Sequence, residues 1–138
     1  MLYKILNENG KQKVWVPQYF WYGKEMLPLY FPGNWEIKIC EMNGDSIRPL
    51  SSAEIKRVVD MPIGTDNIEA LAKGKKEVAI VVDDITRPTE ASLILPNVLE
   101  SLNKAGINDE SIRILISLGS HGAHTGEDFR KKLGDKIV

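Results

Sequence analysis

The stretch Val78-Ala79-Ile80-Val81-Val82-Asp83-Asp84-Ile85-Thr86-Arg87-Pro88-Thr89 decides the fold. It opens on a continuous apolar run rich in β-branched residues and stops at two carboxylates. Such a run suits a strand buried on both faces, as in a parallel sheet. Downstream, Ile94, Leu95, Val98, Leu99 and Leu102 recur at helical spacing, and Gly106 supplies a stop. Pro96 lies inside this stretch and either kinks the helix or marks its first turn. Ile112 to Leu118 reads as a second apolar strand, and Gly119 to Thr125 as a loop. Thr125-x-x-Asp128 can cap a helix running to Leu133, which Gly134 ends. Lys136-Ile137-Val138 reads as the opening of a third strand. Strand, helix, strand, helix and strand start form the βαβ pattern, with right-handed crossovers expected. The fold class is therefore α/β, with a Rossmann-like parallel-sheet core.

Upstream of this core the pattern is antiparallel. Met1 to Leu6 and Lys13 to Pro17 flank Asn9-Gly10, a hairpin turn signal. Leu27 to Phe31 is a short apolar run stopped by Pro32-Gly33. Trp35, Ile37 and Ile39 alternate with Glu36, Lys38 and Cys40, the period of a half-buried strand ended by Asn43-Gly44-Asp45. Ser51-x-x-Glu54 resembles a capping box, with Ile55, Val58 and Val59 on one helix face before Pro62 to Gly64 break it. Thr65 or Asp66 can cap a second short helix carrying Ile68, Leu71 and Ala72, ended by Gly74. The expected organisation is a single N-terminal α/β domain over residues 1–138. A chain that stops on an opening strand reads as a piece of a longer, two-domain enzyme.

The totals exclude several classes. With 18 Lys plus Arg against 19 Asp plus Glu among 138 residues, the formal charge is -1. That balance gives no drive toward nucleic acid or anionic lipid. Arg130-Lys131-Lys132 is the densest basic cluster and reads as a solvated helix end, where cations suit the dipole. Lys73, Lys75 and Lys76 flank a turn and read as solvated too. Cys40, the single cysteine, cannot form an internal disulfide or a thiolate zinc site, and its apolar-alternating surroundings predict a small buried residue. No run approaches the ~18 apolar residues of a membrane span. Lys4, Asn7 and Glu8 interrupt the start, against a signal peptide. A cytoplasmic protein without membrane or nucleic-acid partners is the default expectation.

Chemistry is expected beyond the carboxyl ends of the strands, where open α/β sheets bind ligands. Two loops leave such ends, Asp83 to Thr89 and Gly119 to Thr125; if their strands are neighbours, they share one mouth. Arg87 follows Asp84 by three residues. Its planar guanidinium can hold a substrate carboxylate bidentately, with Asp84 orienting it. The competing reading is a loop-bracing Asp–Arg ion pair, with Asp83 or Thr86 capping nearby N–H groups. Both histidines of the chain, His121 and His124, sit in the second loop, where Gly119 and Gly122 allow tight turns. An imidazole titrates near neutrality, so His121 suits general acid/base work. The alternative is a polar loop whose histidines bond carbonyls. His121-x-x-His124 alone is weak evidence for a metal pair, and no metal ligand is assigned.

These residues carry a resemblance. Val81-Val82-Asp83-Asp84-Ile85-Thr86-Arg87-Pro88-Thr89, Leu95-Pro96 and Ile116-Ser117-Leu118-Gly119-Ser120-His121 closely resemble the N-terminal domain of the LarA-like, nickel-dependent lactate racemase family. Tyr22-Gly23-Lys24 and Phe31-Pro32-Gly33-Asn34-Trp35-Glu36 are similar to its opening strands, so the likeness runs from Tyr22 to Val138. The resemblance implies a racemase or epimerase of lactate or a related 2-hydroxy acid. It implies a nickel pincer nucleotide derived from nicotinic acid mononucleotide and tethered to a lysine. One histidine takes the hydroxyl proton while hydride leaves the α-carbon for the cofactor. By motif position His121 resembles that histidine, Arg87 the substrate-carboxylate arginine, and Asp84 and Thr86 substrate-binding loop residues. The family's cofactor lysine, nickel-ligating histidine and second catalytic histidine have no match here. They belong to a C-terminal remainder, so these residues alone are expected to hold no cofactor and to be inactive. The family's usual Arg-Pro after this histidine is replaced by Gly122-Ala123-His124. Two rivals stand beside this reading. One is a non-catalytic α/β module binding a small carboxylate or phosphate through Arg87 and loop N–H groups. The other is a hydrolase using His121 with Asp83 or Asp84, which lacks a recognisable nucleophile elbow.

Overall fold

In the computed structural model, residues 5–19, 22–23, 25–44 and 47–138 are described; Met1 to Lys4 of the expected first strand and Asp45 of the expected turn lie outside them. The chain divides into two compact units, Met1–Arg48 and Pro49–Val138.

The first unit holds an antiparallel sheet in the order β1 (Ile5–Glu8), β2 (Lys11–Val16), β3 (Leu27–Pro32). Asn9 and Gly10 both take positive φ, 50° and 71°, and Glu8 faces Lys11. That is the tight turn whose twist matches two paired strands, and Asn-Gly adopts it at little cost. Pro28 and Pro32 are tolerated because β3 is an edge strand. The strand expected over Trp35 to Cys40 does not form. The alternation survives as burial alone, with Ile37 and Ile39 half-buried between exposed Glu36, Lys38 and Cys40. Instead of a ladder, the Gln12 side chain donates to the carbonyls of Gly33 and Trp35 and pins the start of the segment. Cys40 pairs with no strand among the described residues and is exposed rather than buried.

The second unit carries the α/β core. Helix α1 (Ser52–Asp60) begins with the expected capping box: Ser51 and Glu54 each satisfy the other's backbone N–H. Helix α2 (Ile68–Ala72) starts later than expected, because the Asn67 side chain, not that of Thr65 or Asp66, accepts from the Ala70 N–H at 2.9 Å. Strand β4 (Val78–Asp83) and strand β5 (Ile112–Ser117) pair in parallel, with Val78 opposite Ile112 and Asp83 opposite Ser117. Between them runs α3 (Ala91–Lys104), in which Pro96 lies past the first turn and inside the helix. Helix α4 (Gly126–Leu133) follows β5, opened by the Thr125–Asp128 capping box and ended by Gly134 at φ 89°.

Two apolar clusters hold this unit. Ala72, Leu102 and Ile107 gather Val78, Ile80 and Ile112; Ala91, Leu95 and Leu133 gather Ile80, Val82, Ile114, Ile116 and Phe129. Each fully buried leucine here contributes roughly 1.5–3 kcal/mol. Only one face of the strand pair is enclosed. Val81 is 67% exposed and its partner Leu115 51%, so the expectation of burial on both faces is corrected. The helices of this unit pack on the side carrying Ile80 and Ile114. The third strand expected at Lys136-Ile137-Val138 is also absent: residues 135–137 form a turn, with the Ile137 N–H on the Gly134 carbonyl and the Ile137 side chain against the second cluster.

Candidate functional site

The parallel register fixes the site. With Asp83 opposite Ser117, both strands end at the same level. Neighbouring strands lie about 4.8 Å apart, so the loops that leave them start side by side. A cavity of about 350 Å³ opens between the loops, lined by Asp83, Asp84, Arg87, Ser117, Leu118, Gly119, Ser120 and His121. The shared mouth expected from the sequence is therefore present. A larger hollow in the first unit has Lys11 as the one charged residue on its wall, and so offers no acid–base pair.

Asp84 is the hub of the cavity. It is 3% exposed, and its Oδ1 accepts from the Thr86 hydroxyl at 2.6 Å and the Thr86 N–H at 3.1 Å. Its Oδ2 accepts from Nδ1 of His121 across the gap between the loops. The Thr86 hydroxyl first, and then His121, hold this carboxyl down to about 2, outweighing the opposing effect of desolvation. Asp84 is thus ionised at neutral pH and keeps the His121 proton on Nδ1. The other ring nitrogen, Nε2, points away from the carboxylate bond, and the His121 side chain is 48% exposed. Gly119, at φ 59°, makes the turn that delivers this ring; the His121 N–H closes it on the Leu118 carbonyl at 3.0 Å.

Arg87 is exposed at the rim, and among the described residues its guanidinium has no ion pair. The competing reading, a loop-bracing Asp84–Arg87 ion pair, does not form; the two residues are joined by the Arg87 N–H on the Asp84 carbonyl at 3.1 Å. The Asp84 carboxylate is thus bonded to His121 and Thr86 rather than to the Arg87 guanidinium. His124 does not line the cavity. Its Nε2 accepts from the Ile85 N–H at 3.0 Å, and its ring stands edge-on to Phe129. It ties the second loop to the first through a backbone amide, where the alternative reading had a histidine on a carbonyl.

Beneath the first loop lies a residue that sequence reasoning missed. Lys132 is fully buried, against the expectation of a solvated helix end. Its Nζ meets Oδ1 of Asp83 at 2.8 Å and the carbonyls of Arg87 and Thr89, both at 2.9 Å. Three donors meet three acceptors, which compensates for removing the ammonium from water. Asp83 also accepts from the Thr89 hydroxyl at 2.7 Å. Desolvation pushes the Asp83 carboxyl up, but Lys132 and Thr89 outweigh it and leave the group below its ordinary value. The signal was readable: Lys132 lies three residues after Phe129 and beside Leu133, on the inward face of α4.

Comparison with known proteins agrees with this architecture. Residues 22–138 match the family model described as the lactate racemase N-terminal domain. Lactate racemase from Thermoanaerobacterium thermosaccharolyticum is 32% identical over 119 residues, 85% of this chain and 28% of that protein. Lactate racemase from Lactiplantibacillus plantarum is 38% identical over 84 residues, 61% of this chain and 20% of that protein. The structure of the Thermoanaerobacterium thermosaccharolyticum lactate racemase apoprotein superposes with a TM-score of 0.58 at 27% identity, covering 91% of this chain and 28% of the other. The chain thus spans less than a third of the relatives it matches. It belongs to the lactate racemase N-terminal domain family.

Proposed function

We propose that this chain supplies the proton-transfer and carboxylate-binding side of a racemase or epimerase acting on lactate or a related 2-hydroxy acid. The observation that carries the reading is the Asp84–His121 pair, assembled from two loops at one cavity. His121 Nε2 takes the hydroxyl proton of the substrate, and Asp84 stabilises the imidazolium that results. Such help is typically worth ~10²- to 10⁴-fold. Arg87 takes the substrate carboxylate in its planar fork, which fixes the orientation of the hydroxyl toward His121. Thr86 holds Asp84 in place.

The cavity lining does not fit a nickel pincer nucleotide: it holds no lysine to tether the group, and its one histidine is bonded to Asp84 through Nδ1. Among the described residues no group of three histidine, cysteine or carboxylate side chains could hold a metal ion. His121 Nδ1 and His124 Nε2 are engaged, and Lys132 is enclosed by three acceptors.

The guanidinium of Arg87, without an ion pair among the described residues, also favours a second reading, a non-catalytic carboxylate- or phosphate-binding module. The loop N–H groups support it less. Those of Ile85, Thr86, Arg87 and His121 are already bonded within the loops and cannot cradle an anion.

The test is racemisation of single-enantiomer lactate and other 2-hydroxy acids by the full-length protein with its cofactor loaded, read by chiral chromatography. Turnover of at least one acid, lost by ~10²- to 10⁴-fold in His121→Ala, is expected. No turnover across the panel, with loading confirmed, would move the assignment to the binding module.

A further inference from the structure

The first loop is held from both ends by one buried cation. The carbonyls of Arg87 and Thr89 flank Pro88, and both point at the Lys132 ammonium, which also holds Asp83 at the loop's origin. The Arg87 backbone is thereby fixed on two sides: its N–H on the Asp84 carbonyl and its own carbonyl on Lys132. Its side chain, by contrast, is exposed at the cavity rim. A guanidinium on a flexible stem binds a carboxylate well only if its root is fixed, because ordering the stem already costs rotamer entropy.

We infer that Lys132 is a positioning residue for substrate binding: through the Arg87 carbonyl it sets where the Arg87 guanidinium meets the substrate carboxylate. Lys132 lies outside the cavity lining and takes no part in proton transfer. The inference rests on the proposed 2-hydroxy acid reading. A buried lysine is also a costly device for bracing a loop, since an apolar residue could fill the same volume without desolvating a charge. What the apolar residue could not supply is three directed hydrogen bonds to one loop.

A double-mutant cycle in the full-length protein tests this, using Lys132→Met, Arg87→Ala and the pair. Two quantities are read: Kd for a non-reacting 2-oxo acid by calorimetry, and KM against kcat for racemisation. Thermal unfolding is followed alongside. Lys132→Met is expected to raise Kd and KM by on the order of 10- to 100-fold while kcat falls far less. Added to Arg87→Ala, it is expected to cost no further binding, because both act through one contact. Where Lys132→Met fails to fold, Asp83→Asn loosens the same brace more mildly and is expected to raise Kd in the same non-additive way. Losses that add to those of Arg87→Ala, or a fall in kcat at constant KM, would overturn the inference alone. A wild-type protein that binds no 2-oxo acid, or an Arg87→Ala variant that binds it unchanged, would overturn the 2-hydroxy acid reading beneath it.

Discussion

Asp83 and Asp84 are neighbours in sequence, yet they build opposite sides of one loop. Successive side chains leaving a strand point to opposite faces. Asp83 turns toward the floor, where it meets the buried ammonium of Lys132 and the Thr89 hydroxyl. Asp84 turns toward the rim, where it meets His121 and Thr86. The floor joins the loop to α4 and sets its shape. The rim joins the loop to the second loop and sets a proton on one nitrogen of an imidazole. Two identical side chains thus receive different work from a one-residue step, and neither is a spare carboxylate left at the end of a strand.

The comparison breaks most visibly in stability. Removing the floor cation by Lys132→Met leaves two loop carbonyls unpaired and Asp83 without its counter-ion. Unmade buried hydrogen bonds and a broken ion pair predict a cost of about 2–4 kcal/mol, read from urea unfolding at neutral pH. Asp83 keeps 35% of its side-chain surface exposed and can rehydrate, which holds the cost below that of a fully enclosed pair.

The rim sharpens the contrast through pH. The Asp84 carboxyl is held at about 2, below the ordinary carboxylate range, so the folded state favours its ionised form. The stability this supplies is complete above about pH 4 and is lost as the pH falls toward 2. Stability measured from pH 5 to pH 2 should fall less steeply in Asp84→Asn than in the wild type. The effect at neutral pH should be smaller than that of Lys132→Met.

Much of this was legible in the sequence, for reasons that differ by residue. The βαβ order followed from apolar period, and the caps at Ser51 and Thr125 followed from spacing, because both are local. The shared cavity was legible because parallel pairing places strand ends together. Other readings failed where a distant partner decides. Trp35 to Cys40 has the period of a strand but pairs with none among the described residues. Val81 has the composition of a two-sided core strand but a helix-covered surface on one side only. Lys132 reads as a solvated cation until Asp83, Arg87 and Thr89 come to it from 43 residues or more away. Arg87 and Asp84 show the same limit: their three-residue spacing permits an ion pair, but His121 from the second loop takes the carboxylate.

The central claim is that Asp84 and His121 act as one unit across the two loops. Racemisation rates of Asp84→Asn, His121→Ala and the double variant, in the full-length cofactor-loaded protein, test it most directly. Residues that act as a unit are strongly non-additive. The account predicts that Asp84→Asn alone slows the reaction by ~10²-fold or more, and that adding it to His121→Ala slows it no further. Losses that multiply, or a His121→Ala variant that racemises at the wild-type rate, would contradict it.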